Sequence, residues 1–276
     1  MPYCPYKQPL LYTLPSVRYR RKVTVFALVV LITVAICIYL GFDPLMLFTE
    51  FHYVVDLAGN MLPPNFDMFW SNKHIGWAIL ETVCMAFLGT IFGGSIAFVL
   101  AFLAASNTMP VKAIRQVVRF VLSMMRVIPY LVIILVFVVA IGLGPFAGML
   151  TLVWGTIGTF GQLFTQIIEN IEAAPSEAIY SIGASRIQVI RYSILPEIFP
   201  SFIANLLYSF DINMRAALAL GIFGGGGIGF ELYMAMRVLR YKDALALICF
   251  TIVLITIIEK LSDHLRKKVL GAGVLK

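Results

Sequence analysis

The chain has 276 residues, 61% of them hydrophobic and 13% charged, with a formal net charge of +7. So much apolar surface with so few charges excludes an ordinary soluble domain and defines an integral membrane protein. Nucleic acid is not the expected partner of the positive charge, because the sequence has neither zinc-finger spacing nor interleaved basic and aromatic residues, and its bases gather beside apolar runs as topology signals do.

Six stretches satisfy the requirement for about 20 mainly apolar residues: roughly 23–41, 76–104, 127–144, 146–168, 199–221 and 244–260. The expected architecture is therefore an all-α membrane protein with six transmembrane helices. Ahead of the first span stand Arg18, Arg20, Arg21 and Lys22, but the run that follows is too long for a secretory leader and has no small-residue cleavage site, so it is read as a retained span. Residues 42–75 carry Asp43, Glu50, Asp56 and Asp67, the adjacent prolines Pro63 and Pro64 and the single base Lys73, as an outside loop does. Bases then recur on alternate sides: Lys7 and the first cluster; Lys112, Arg115, Arg119 and Arg126; Arg186 and Arg191; Lys260, Arg266, Lys267, Lys268 and Lys276. The positive-inside rule makes these sites cytoplasmic and places both termini there. The rule leaves Arg237, Arg240 and Lys242 unexplained. The sequence thus divides into a cytoplasmic segment 1–22, a first span and outer loop 23–75, a core 76–262 containing a cytoplasmic loop 172–197, and a cytoplasmic tail 263–276.

Within the core, Glu81 opens the second span, where it caps the outer end or serves as a weak pathway candidate, and Gly89 and Gly93 permit close helix packing. "VKAIRQVVRFVLSMMR" (111–126) sets apolar residues against bases at helical spacing, as a helix lying on anionic lipid or an elbow into the third span does, with a kink expected at Pro129. Glu169 and Glu259, near cytoplasmic ends, are read as solvated at the interface.

The stretch "SEAIYSIGASRIQVIRYSILPE" (176–197) is polar and helix-forming between apolar runs. Pro175 suits a helix start, Gly183 interrupts, Ser185 and Gln188 match a capping box, and Leu195-Pro196 closes the segment. One side is apolar (Ala178, Ile182, Ile187, Ile190, Ile194) and asks for a partner's groove. In the fifth span, Asp211, Asn213 and Arg215 are costly in lipid unless paired or wet. Asp211 and Arg215, four apart, could neutralise each other on one helix face; alternatively Arg215, alone or with Asn213, faces a path and attracts an anion. The run Gly224, Gly225, Gly226, Gly227 and then Gly229 follows a helix, so it fits a closely packed, irregular backbone lining a cavity, as in a gate, far better than a dinucleotide loop.

Cys4, Cys37, Cys84 and Cys249 form no CxxC pair, and His52, His74 and His264 stand far apart, so no metal is expected. No GxxxxGK[ST] occurs, and no convergent nucleophile and base suggest an enzyme.

The loop resembles the cytoplasmic signature of the membrane subunits of ABC importers: EAA, three residues, Gly, nine residues, Ile, any residue, Leu-Pro. With the glycine on Gly183, the signature glutamate falls on Glu177, followed by Ala178, and the Leu-Pro on Leu195 and Pro196. The literal "EAA" at 172–174 lies five residues too early, and Ile179 and Ser193 depart from the pattern. Span five, its glycine-rich end and "IGLGPFAG" (141–148) resemble the phosphonate branch of that family. The resemblance implies a type I ABC importer permease fold in a bacterial inner membrane and a coupling helix at Glu177, Ala178, Gly183 and Ala184. It also implies a homodimer, two ABC ATPase subunits that bind the ATP, and an external binding protein delivering phosphonate, phosphite or hypophosphite. No cofactor of its own is expected. Glu177 would lie near a helix N-terminus and Gly183 would need a positive φ. The competing class is an ion-coupled secondary transporter or channel, whose ion site would be the charged fifth span.

Overall fold

The computed structural model describes residues 15–41, 46–71 and 73–274; Cys4, Lys7, Asp43 and Lys276 lie outside them. Among the described residues there is no strand. The chain divides into two units, Met1–Gly59 and Asn60–Lys276.

In the first unit, α1 (Pro15–Tyr39) is one apolar helix, and the hydroxyls of Thr24 and Thr33 donate to the carbonyls of Arg20 and Val29 four residues back, which satisfies them without another helix. Two short helices follow, α2 (Met46–Thr49) and α3 (Phe51–Met61), the latter reaching the second unit. The expected outer loop is therefore largely helical.

The second unit continues with the single turn α4 (Met68–Ser71) and then α5 (Lys73–Ala104), whose 32 residues reach about 48 Å at 1.5 Å per residue. Its buried face is made of small residues, among them Ala86, Gly89, Thr90, Gly93 and Ala97, while Trp77, Phe87, Ile91 and Phe92 point outward. Lipid is as apolar as leucine, so the large side chains gain nothing by turning inward, and small ones let backbones approach. A Cβ on Gly89 would stand 2.6 Å from Leu152 Cβ, and one on Gly93 2.6 Å from Thr156 Cβ. Both contacts are with α8 (Pro145–Glu169), the central helix.

Between them the chain bends. The amphipathic α6 (Lys112–Val127) has only Leu122 buried, and it meets α7 (Tyr130–Ile141) at 90°. Pro129 forces its predecessor out of the helical region, and Ile128 is extended at φ −76°, ψ 121°. The elbow and the kink at Pro129 offered by the sequence are thus present, and the second arm, 12 residues, reaches about 18 Å, short of a hydrocarbon core.

The loop helices α9 (Ala173–Ser181) and α10 (Arg186–Val189) lead through a wider π-type turn, 190–194, into α11 (Leu195–Leu220). Leu195-Pro196 was expected to close the loop, yet winding continues from Arg186 to Gly225. Pro196 occupies the start of α11, directly after the π-type turn, where its missing N–H and ring are accommodated. A second π-type turn, 221–225, opens onto α12 (Gly227–Arg237), and α13 (Tyr241–Val274) returns as one helix of 34 residues. Helix α8 holds this unit together, packing on α5, α6, α7 and α11.

Among the described residues four helices are long and apolar enough to cross a membrane, or five if the bent pair is one span. The chain is therefore a multi-pass membrane protein. The expected count of six is not reproduced, because α7 is short and α8, although 25 residues long, is diluted by two glutamines and by glycines and threonines most of which are buried against other helices.

Candidate functional site: the cytoplasmic loop and the charged end of the bundle

The loop 172–197 is built as two short helices around a glycine corner. Gly183 sits at φ +86°, with open space around it, so it is the backbone conformation and not crowding that calls for glycine. Ser185 and Gln188 form the reciprocal capping box, the Ser185 N–H donating to Gln188 Oε1 at 2.7 Å. Glu177, Ala178 and Pro196 are exposed and Ala184 and Leu195 half-buried. The expectation that Glu177 lies near a helix N-terminus is corrected: α9 starts four residues earlier, Glu172 of the "EAA" at 172–174 is its N-cap, and Glu177 lies on the second turn, where its carbonyl accepts from the Ser181 hydroxyl. The apolar side divides in two. Ile194 is buried in a core with Phe164 and Ile198, against which Ile190 also packs, whereas Ile182 is 84% and Ile187 77% exposed. The departure at Ser193 has a local partner, since its hydroxyl lies 3.0 Å from that of Ser176 and ties α9 to the π-type turn. A cavity of about 950 Å³ opens beside this junction, lined by Pro175, Ile179, Tyr192, Leu195, Phe199 and Val269.

The three polar residues of α11 go three separate ways. Asn213, 1% exposed, donates to Thr90 Oγ1 at 2.8 Å and to Thr156 Oγ1 at 2.9 Å, joining the middles of α5 and α8 to the C-terminal half of α11. Its side chain is enclosed between these three helices. Asp211 is buried and accepts from Arg266 of α13 at 3.3 Å, and Arg215 donates to Glu259 of α13 at 3.0 Å. An Asp211–Arg215 ion pair is not formed: each residue is paired across to α13 instead. Glu259, read from sequence as merely solvated, is a partner in the span. Replacing Asn213 by leucine is expected to lower stability by about 1–2 kcal/mol, because interhelical bonds in membrane proteins average ~0.6 and reach ~1.7 kcal/mol each. An unfolding midpoint in detergent equal to that of the wild type would show that the two threonine bonds contribute nothing.

The glycine stretch is closely packed, as expected. Gly224, Gly226 and Gly227 have φ of +92°, +75° and +69°. A Cβ on Gly225 would lie 2.9 Å from the Leu220 carbonyl oxygen, and one on Gly226 2.9 Å from Pro145. Gly229 lies against α11. Sequence reading missed what anchors this stretch. The Gly227 N–H donates to Glu81 Oε2 at 3.2 Å and the Ile228 N–H to Thr82 Oγ1 at 2.9 Å, so α5 caps the N-terminus of α12. Glu81 thus serves another helix, not its own. On the opposite side, Glu169 binds the Ser106 N–H and the Arg119 guanidinium, and Arg119 Nε donates to the Ala104 carbonyl at 2.8 Å, fastening the α6 elbow to the ends of α5 and α8.

The described residues form an all-helical membrane bundle packed on small residues, with a double-helix loop at one end, and its family makes it a membrane-spanning transport component. Residues 97–271 match the binding-protein-dependent transport system inner membrane component, and the chain belongs to that family. It is 32% identical over 250 residues to the phosphite transport system permease protein PtxC of Stutzerimonas stutzeri, covering 90% of this chain and 89% of that one. It is also 37% identical over 228 residues to the phosphate-import permease protein PhnE of Mycolicibacterium smegmatis, covering 83% of this chain but only 42% of that relative. Among solved structures, the fold is similar to a bacterial ABC transporter involved in alginate import (TM-score 0.64, 18% identity, 91% of this chain and 99% of that one). It is similar also to the MetNI methionine ABC transporter in an inward-facing conformation (TM-score 0.62, 20% identity, 74% of this chain and 99% of that one).

Proposed function

We propose that this chain is the membrane-spanning subunit of an ATP-driven importer for a phosphorus oxyanion, a phosphonate, phosphite or phosphate, with its termini in the cytoplasm. Two copies form the path, two ATPase subunits bind the loops 172–197, and an external binding protein delivers the anion. The observation that carries the reading is the loop itself: a rigid corner at Gly183 holds Ile182 and Ile187 out of the chain's own core, a cost that a partner's groove offsets. Relatives named for the transport of phosphite and phosphate supply the ligand class. Closure of the ATPase pair would push on α9, whose Ser176 bond to Ser193 passes the movement to α11, and the glycine turn at 221–229 would act as the gate.

The test is gentle solubilisation from the native host followed by mass spectrometry of what copurifies, with wild type compared to a Glu177→Lys, Gly183→Leu double variant. An ATPase present with wild type and lost from the variant supports the reading. A membrane protein recovered intact without any ATPase would instead favour an ion-coupled transporter.

A further inference from the structure

The Arg215–Glu259 pair stands in an unusual place. Its depth is fixed by Asn213, two residues away, whose partners Thr90 and Thr156 lie near the middles of α5 and α8. Mid-span charges are costly in lipid and are kept where they meet protein or water. Yet these two side chains are 48% and 50% exposed on the single chain. Arg215 belongs to a continuous open stripe that runs along α11 into the following π-type turn, Tyr208, Ile212, Arg215, Ala219 and Ile222, at spacings of three and four, while Asp211, Asn213, Met214, Ala217 and Leu220 are buried. Asp211 is not a competitor for Arg215, being occupied by Arg266, which also lies 3.3 Å from Asp263. Among the described residues Arg215 therefore has one anionic partner, held through a single nitrogen.

A guanidinium held that way can still offer its fork to a tetrahedral oxyanion, which it binds through two parallel hydrogen bonds. We infer that Arg215 is the anion contact of the path and that Glu259 is an exchangeable internal anion: it neutralises Arg215 when the path is empty, yields it to the passing phosphorus oxyanion, and reclaims it on release. This rests on the reading of the chain as half of a transport path, and it places the open stripe of α11 on that path. Without Glu259 the empty arginine would be an uncompensated charge at mid-span, and a bound dianion would have no competitor to drive it onward.

The experiment is equilibrium binding of labelled inorganic phosphate, and separately phosphite, to the purified complex in lipid nanodiscs without the binding protein. Wild type, Glu259→Gln, Arg215→Gln and the double variant are compared. Removing the competitor should tighten binding about fivefold in Glu259→Gln, the factor corresponding to a partly exposed ion pair. Binding should vanish in Arg215→Gln and stay absent in the double variant. A purely structural pair predicts the reverse pattern: no tightening in Glu259→Gln, and recovery of wild-type behaviour when both charges are removed together. Either of those results overturns the inference. Copurification of the ATPase is scored on the same samples. If the ATPase is present and binding fails to tighten, the exchange inference alone falls; if it is absent, the transport reading falls and the inference with it.

Discussion

Gly229→Ala is expected to prevent accumulation of folded protein. A Cβ at this position would lie 2.0 Å from the Leu218 carbonyl oxygen, 2.9 Å from its carbon and 3.1 Å from Gly221 Cα. All three are backbone atoms, so no side chain can turn aside, and relief requires α12 to move away from α11. Overpacking that side chains can absorb costs about 1–3 kcal/mol; here the cost should reach about 3 kcal/mol or more, a large share of a typical total of about 5–15 kcal/mol. Moving α12 would also draw the Gly227 and Ile228 N–H groups from Glu81 and Thr82, so the cap goes with the packing. The measurement is the yield of monodisperse protein in detergent and its unfolding midpoint, with Gly76→Ala as control, since nothing lies within 4 Å of a Cβ there. Equal yield and midpoint for both variants would mean that α11 and α12 do not approach this closely.

Gly229 also shows where sequence reading ends. The glycine cluster announced a tight, irregular backbone, because only glycine adopts the positive φ of three of its members freely. What holds it, Glu81 and Thr82, lies 146 residues away in sequence, and no local spacing encodes such an anchor. The same limit applies to Arg215 and Asp211. Their separation of four suggested a pair on one face, a local rule valid for an isolated helix. Glu259 and Arg266, 44 and 55 residues on, win because α13 packs directly against α11 and brings opposite charges into register.

Periodicity, apolarity and punctuation residues carried further. The long apolar helices, the close approach at Gly89 and Gly93, the break at Pro129, the positive φ at Gly183 and the capping box at Ser185 all follow from short-range physics and all occur. The misreadings have separate causes, some in local winding and one in tertiary packing. Leu195-Pro196 does not end a helix because a π-type turn absorbs the proline. α8 is not oily along its length because its surroundings are other helices. Glu177 is not at a helix start because α9 begins at Ala173, with Glu172 at its N-cap.

Ile182→Asp is expected to reduce uptake of a labelled phosphorus oxyanion by whole cells at least about tenfold while leaving the unfolding midpoint of the purified chain unchanged. The two halves of that expectation have separate causes. At 84% exposure, Ile182 contributes almost nothing to the fold of its own chain, and surface substitutions of this kind stay within about 0.5 kcal/mol. In a partner's groove the same side chain would be worth about 1.5–3 kcal/mol, a factor of roughly 10 to 150, and an aspartate there would add the desolvation of a charge. Ile182 is also the C-cap of α9, immediately before the Gly183 corner, so α9 joins it directly to the Ser176–Ser193 bond that leads into α11. Freeing that tip from a motor would therefore uncouple α11 as well. Normal uptake by Ile182→Asp would show that the tip is not buried by a motor, and lowered uptake with a lowered midpoint would assign the residue to folding. Only reduced uptake with an unchanged midpoint fits an apolar side chain held outside the chain's own core for another polypeptide to cover.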